Sequence, residues 1–502
     1  MFQNDHHRDK KLDNINLNDF KCRIHSKFIN NKKHIMLDLF RTKNFSETID
    51  NAKHSSLKKS LGAIDLVLLG IGCTIGTGIF VLTGIGAAKY AGPAIALSYL
   101  FSAFACAFAA LAYAELASMV PVSGSAYTYT YVVIGEFIAW LVGWGLILEY
   151  GVGAATVASG WSGYMLGILN AGGVHLPDYL SKTPADGGII NLPAVFIALF
   201  IGFLLIRGTK ESVIFNRILV GVKLTAIFIF LLVATPMVKT ENWVDFMPFG
   251  VHGIFMGAAT IFFAYIGFDA VATAAEECKN PKRDLPIGII GSLAISAILY
   301  IAVALVLTGI ADYKLLDNAE PLAFALRLNG SNIGSALVAI GAITGMTTVL
   351  LVLMYGQSRI FYVMSRDKLI PAFFGKIHPR FNTPYVSAIV VSLAVALTSG
   401  LTPIHTLGHM TSLGTLFAFV VVAIGVMVLR KTKPDLQRPF HCPAVYIVAP
   451  MAILTCGYLI YNLLLTTGKP FLIWTIIGLV VYFGYSYKNS PLNKKRKFLQ
   501  NS

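Results

Sequence analysis

The chain has 502 residues, of which 56% are hydrophobic and only 13% charged, and it carries a formal net charge of +15. A soluble fold of this length needs far more polar residues to cover its surface, so the composition excludes the soluble classes and points to a polytopic membrane protein.

In chain order, residues 1 to 56 are rich in Asn, Lys, His and Asp and contain no apolar run long enough to span a membrane or act as a signal sequence. They read as a disordered basic cytoplasmic tail, with room for a short helix near Ile35 to Phe40. His6, His7, His25 and His34 lack the regular spacing and cysteine partners of a metal site and read as solvated tail.

A transmembrane domain is expected over residues 57 to 487. Apolar stretches of about 20 residues, enough to cross ~30 Å of hydrocarbon, recur along it. Twelve are expected, at 62 to 88, 92 to 119, 134 to 166, 191 to 206, 213 to 235, 251 to 275, 286 to 310, 333 to 362, 384 to 402, 405 to 429, 444 to 466 and 470 to 487. The long third stretch must tilt or extend beyond the bilayer. With the N-terminus inside, 13 of the 40 Lys and Arg lie in the tail through residue 61, 20 in other inner segments and 6 in outer ones. This asymmetry places both termini in the cytoplasm and the protein in the cell's inner (cytoplasmic) membrane. Residues 488 to 502 form a second basic cytoplasmic tail, whose Lys494, Lys495, Arg496 and Lys497 serve topology and an anionic-lipid contact. The net charge therefore needs no nucleic-acid partner. Cys73, Cys106 and Cys456 fall within spans and Cys22, Cys278 and Cys442 on the inner side, so free thiols are expected.

Two spans are interrupted. The first contains "GIGCTIGTGIF" from Gly70, four glycines in eleven positions. It lacks the context of a dinucleotide or phosphate loop, and Gly72-x-x-x-Gly76 also fits a helix-packing face. The sixth contains "FFAYIGFDAVATAAEE", with Gly267 and, at membrane depth, Asp269. A charge there costs roughly 2.5 to 3.5 kcal/mol on insertion scales, so it must face protein or water. Broken spans five apart indicate an all-α membrane fold of twelve helices with a five-plus-five inverted repeat, residues 62 to 235 and 251 to 429, followed by two extra helices within 444 to 487. Freed amides at a half-helix start suit a carboxylate and freed carbonyls an ammonium group, and a zwitterionic amino acid carries both.

Other charges fall into place around this pattern. Lys223 sits in an apolar run too deep for simple snorkelling, where desolvation lets an amine alternate between charge states; a purely structural donor to the broken span's carbonyls is the alternative. Glu149, in "LILEYG", and Asp269 read either as proton sites or as fixed hydrogen-bonding groups. Glu115 belongs to the inner gate or the packing around "VPVSGSAYTY", and Asp65 caps the first span. Glu276, Glu277, Lys279, Lys282 and Arg283 form a solvated inner loop with gating pairs to Arg359 and Arg366. No nucleophile constellation or carboxylate pair of fixed spacing is visible, so an enzyme is not expected.

The chain resembles the amino acid, polyamine and organocation transporter superfamily, and within it the bacterial relatives of the cationic amino acid transporters. The motifs are "GIGCTIGTGIFVLTG" from Gly70, "AELASMVPVSGSAYTYTY" from Ala114, "GWGLILEYGVGAATVASGWSGY" from Gly143, "FNRILVGVKL" from Phe215, "FFAYIGFDAVATAAEECKNPKRDLPIGI" from Phe262 and "GQSRIFYVMSRDKLIP" from Gly356. The resemblance implies that Ile75, Gly76, Thr77 and Gly78 surround the substrate carboxylate through backbone amides. Carbonyls around Phe263, Ala264 and Ile266 would receive the amino group, with Phe263 as a gate. It further implies that Lys223 occupies the place of a sodium ion in sodium-coupled relatives, hence proton coupling, and that Glu149 lines or neighbours the cavity. Met346 would form a pocket wall, favouring small or medium neutral amino acids over cationic ones.

The expectation is thus a proton-coupled amino acid permease working by alternating access, with substrate, protons and membrane lipid as partners, no cofactor and no metal. The oligomeric state is open, a monomer included. The alternatives are a cationic amino acid or polyamine carrier, an amino acid exchanger and, more remotely, a membrane nutrient sensor.

Overall fold

The computed structural model describes residues 39–44, 59–120, 122, 125–208, 213–381 and 383–493, and the regular elements among them are helical. The four tail histidines, Cys22 and the basic run after 493 lie outside the described residues.

Helix α1 (Ala63–Thr74) begins where Asp65 turns back to accept the Gly62 amide at 3.0 Å, and Arg217 pairs with the same carboxylate, so the expected capping by Asp65 is present. After a break, a π-helical turn (Gly78–Leu82) leads towards α2 (Ile95–Met119), α3 (Ser125–Val133) and α4 (Glu136–Ile147). A second π-helical turn (Leu148–Val152) joins α4 to α5 (Gly153–Ala171). Helix α6 (Leu192–Arg207) starts at Asn191, whose side chain accepts the Ala194 amide at 3.2 Å, and stops at Gly208, whose φ of +84° only glycine adopts without strain.

Helix α7 (Val213–Ala234) is followed by α8 (Gly250–Ile261), a second break and a tight helical stretch over Asp269–Glu277. Then come α9 (Pro281–Ile310), α10 (Pro321–Leu328), α11 (Asn332–Arg366), α12 (Tyr385–Leu401), α13 (Ile404–Thr432) and α14 (Val445–Val481). α14 kinks at Thr467, three residues before Pro470, because the proline ring clashes with the carbonyl one turn back. Buried His409 of α13 supports the kink: its Nδ1 lies 3.1 Å from Thr467 Oγ1 and its Nε2 3.2 Å from Thr260 Oγ1 on α8.

Among the described residues, eight helical segments are long and apolar enough to cross a membrane, against twelve expected stretches. The difference is one of lengths. The first stretch is divided by its break; α6 and α12 have 16 and 17 residues; and the last two stretches run together through the Thr467 kink. Leu232, Ile298 and Val480, between 67% and 75% exposed, present apolar side chains outward as a lipid-facing surface does.

Helix α9 packs against α1 and α2, and α8 against α2; α5 packs against α11, and α6 against α12. α7 bridges α1 and α11, while α13 lies against α14, α2, α4 and α5. Buried alanines on α2 permit close approach, and Ser98 and Ser102 donate to the Ile254 and Ala258 carbonyls of α8 at 2.7 and 3.0 Å.

Two buried carboxylates fasten one end of the bundle. Glu136, at the start of α4, accepts from Arg41 at 3.1 Å, Tyr131 at 2.9 Å and Ser490 at 2.5 Å. Arg41 lies in the segment expected to be disordered, yet residues 39–44 are docked: the Arg41 carbonyl takes the Glu136 amide at 2.8 Å, and Lys43 bonds Asp367 at 2.7 Å. A buried charge at Glu136 needs a cation, and this segment provides one. Glu115 is likewise clamped, by Arg430 at 2.9 and 2.7 Å, by Arg438 at 3.3 Å and by the Cys442 amide at 2.8 Å, tying α2 to the end of α13. By contrast, Glu277 and Arg359 are 3.9 Å apart and each about a third exposed, a pair worth little.

Candidate functional site

Both expected interruptions are breaks in the backbone. α1 ends at Ile75, whose φ of −77° and ψ of 100° are extended, before the chain resumes a helical path at Thr77. In the second break, Phe262–Tyr265 tightens, Ile266 extends with ψ 131° and Gly267 takes φ +118°. A Cβ at Gly267 would stand 2.9 Å from Cys73 Cβ, so both conformation and space demand glycine. The breaks also touch directly. A Cβ on Gly78 would lie 2.3 Å from the Ala264 Cα, so Gly78 is required by backbone contact between the two broken segments.

The freed carbonyls find donors. Lys223, fully buried on α7, donates its Nζ to the Gly72 carbonyl at 2.7 Å and the Ile75 carbonyl at 3.2 Å. Tyr300 donates to the Ala264 carbonyl at 2.9 Å and Tyr164 to the Phe80 carbonyl at 2.9 Å. These tyrosines were not foreseen, and nothing in the sequence sets them apart from the other tyrosines of the chain. Gly70 packs on α9, where a Cβ would meet Ser292 Oγ at 2.3 Å, as a packing glycine does.

Between the breaks is a narrow cavity of about 10 Å³, roughly the room one water needs. Of the anticipated residues, Gly76, Thr77, Glu149, Phe263 and Ile266 line it. The wall is completed by Cys73 and Thr74 at the end of α1, Gly153 and Val157 on α5, and Val349 and Leu353 on α11. Ile75, Gly78 and Ala264 do not line the cavity. Met346 is also set back, where its Sδ accepts from Thr77 Oγ1 at 3.2 Å and so buttresses Thr77. Asp269 lies just beyond the second break, 1% exposed, and does not line the cavity.

Glu149 sits on the π-helical turn, a feature that recurs at functional sites. Its Oε2 and the Oδ1 of Asp269 are buried without a hydrogen-bond partner among the described residues. A buried polar atom of this kind calls for an explanation, and at Glu149 the cavity it lines provides room for a water or a ligand.

The family model for the amino acid permeases matches residues 61–485. The chain belongs to that family. The permease is therefore a multi-pass membrane protein of the amino acid, polyamine and organocation superfamily that imports amino acids. It is 48% identical over 462 residues to the branched-chain amino acid permease BcaP of Bacillus subtilis (strain 168), covering 91% of this chain and 99% of that one. It is 45% identical to the methylthioribose transporter of the same organism, over 91% of this chain and all of the relative. The vacuolar cationic amino acid transporter 4 of Arabidopsis thaliana is 39% identical over 77% of this chain and 66% of its own.

Proposed function

We propose that the permease imports neutral aliphatic amino acids, the branched-chain class foremost, by proton-coupled alternating access. The observation that carries this reading is the aliphatic remainder of the cavity, Val157, Ile266, Val349 and Leu353, set beside two backbone breaks. The substrate carboxylate meets the amides that reopen the helix at Gly76, Thr77 and Gly78, behind which Ile75 turns the chain. The ammonium meets carbonyls of Phe263 and Ile266, with Phe263 closing over it, while the Ala264 carbonyl between them is held by Tyr300. Relatives named as branched-chain permeases in two organisms support the substrate class.

Proton coupling rests on Lys223. Its ammonium holds the last carbonyls of α1, so its loss of a proton weakens the break and links proton release to movement of that helix. Glu149 and Asp269, buried carboxylates each with an unpartnered oxygen, are the further proton sites.

The pairing of α1 and α2 with α9, and of α5 and α6 with α11 and α12, supports the reading of residues 62–235 and 251–429 as inverted repeats, with two extra helices in 444–487. Twelve crossings then put both termini on one side, and the Lys and Arg asymmetry makes that side the cytoplasm, with the protein in the cytoplasmic membrane.

A second reading, carriage of methylthioribose, is supported by the relative of that name and by the unpartnered Glu149 oxygen, an acceptor suited to a sugar hydroxyl. Uptake by proteoliposomes separates the two. Leucine accumulation driven by an inward proton gradient, and competed by valine and isoleucine, is expected. Methylthioribose uptake without leucine uptake contradicts the first reading, and leucine uptake indifferent to the gradient removes the proton.

A further inference from the structure

Glu149, Gly153 and Val157 stand four residues apart and all line the cavity, so one face of α5 and its π-helical turn forms the side wall. Gly153 is the middle residue of that face. Other glycines of α5 are packing glycines: a Cβ at Gly160, Gly163 or Gly167 would meet Thr77, Ala319 or Glu320 at 2.5, 2.6 and 2.0 Å. Gly153 differs. Its Cβ would come no nearer than 3.2 Å, to Thr411 Cγ2 on α13, with Leu353 Cδ1 at 3.7 Å and Phe263 Cε2 at 3.9 Å, side-chain atoms in each case. A methyl here fits only if the Thr411 side chain gives by a few tenths of an ångström, but no backbone stands in its way as it does at Gly163, and glycine is a poor helix former. What its missing side chain leaves is a gap of at most one methyl group, bounded by three elements at the aliphatic end of the cavity.

We propose that Gly153 is the size filter for the substrate side chain, the γ and δ methyl groups of a branched-chain amino acid lying over it between Leu353 and Phe263. The inference rests on the aliphatic amino acid reading above. With the carboxylate at the α1 break and the ammonium at the second, a Cα substituent points towards α5 and α11, where Gly153 and Leu353 lie. A methyl group at position 153 takes up the volume that a γ methyl would fill. Discrimination by a single methyl-sized step in an apolar pocket is about 10- to 200-fold.

The test is Gly153→Ala in proteoliposomes, with kcat/KM for labelled alanine, valine and leucine, and the melting temperature as the check on folding. The leucine-to-alanine ratio is expected to fall at least tenfold, mainly through KM, with valine intermediate. Adding Leu353→Val to Gly153→Ala should recover part of the leucine signal. An unchanged ratio, or a parallel loss of alanine and leucine, overturns the filter. Wild-type protein that carries alanine but neither leucine nor valine overturns the branched-chain reading instead. The filter is then decided by the ratio of 2-aminobutyrate to alanine in wild type and variant, so the two failures are distinguishable.

Discussion

Lys223 and Gly78 illustrate how single atoms hold the site. Replacing Lys223 by Met leaves the Gly72 and Ile75 carbonyls without their donor while keeping the apolar stem. Gradient-driven leucine uptake should then fall at least tenfold while counterflow exchange persists; full retention of coupling in the same vesicles would remove the assigned role. Gly78→Ala forces a methyl group onto the Ala264 backbone and should cost uptake by more than tenfold. Gly221→Ala, with nothing within 4 Å of the new atom, should leave it near wild type. Gly76, Thr77, Glu149, Phe263 and Ile266 were legible because glycines and charges stand out in an apolar span, or because a motif named them. Val157, Val349, Leu353 and Gly153 were not. An aliphatic residue that lines a cavity has the same local pattern as one that packs against a neighbour, and only the tertiary fold separates them.

At the scale of elements, the apolar stretches marked the helices well, and the two backbone breaks fell where glycine and Asp269 interrupt them. The fastenings between elements were harder to read. Glu115 stands near the inner end of the second stretch, but its partners Arg430, in the last turn of α13, and Arg438, just past that helix, are more than 300 residues away. Arg41 was assigned to a disordered tail because its neighbours are polar; its partner Glu136 is 95 residues distant, beyond any local pattern. Removing one member of a buried pair strands the other's charge, which costs about 3–5 kcal/mol. Glu115→Ala should therefore lower the melting temperature of the purified protein markedly. Glu277→Ala, which breaks an exposed pair, should change it little. Equal shifts for the two variants would contradict this difference.

For the molecule as a whole, composition alone fixed the membrane class, and the spacing of the two interruptions indicated related halves. Sequence could not set how the two interrupted segments meet. Backbone contact between Gly78 and Ala264, Lys223 reaching from α7 to α1, and α5 facing α11 together enclose a cavity of about 10 Å³. A leucine needs more room than one water does, so its binding between the breaks would require this cavity to widen.

Cys73 lines this cavity, which makes occupancy directly measurable. In a variant that keeps Cys73 as its only cysteine and retains uptake, the rate of alkylation of that thiol by a membrane-permeant maleimide reports on the site. Leucine should slow the reaction at least tenfold, with half-protection near the KM for uptake. Transport that proceeds while leucine leaves the Cys73 rate unchanged would contradict a substrate bound between the two breaks.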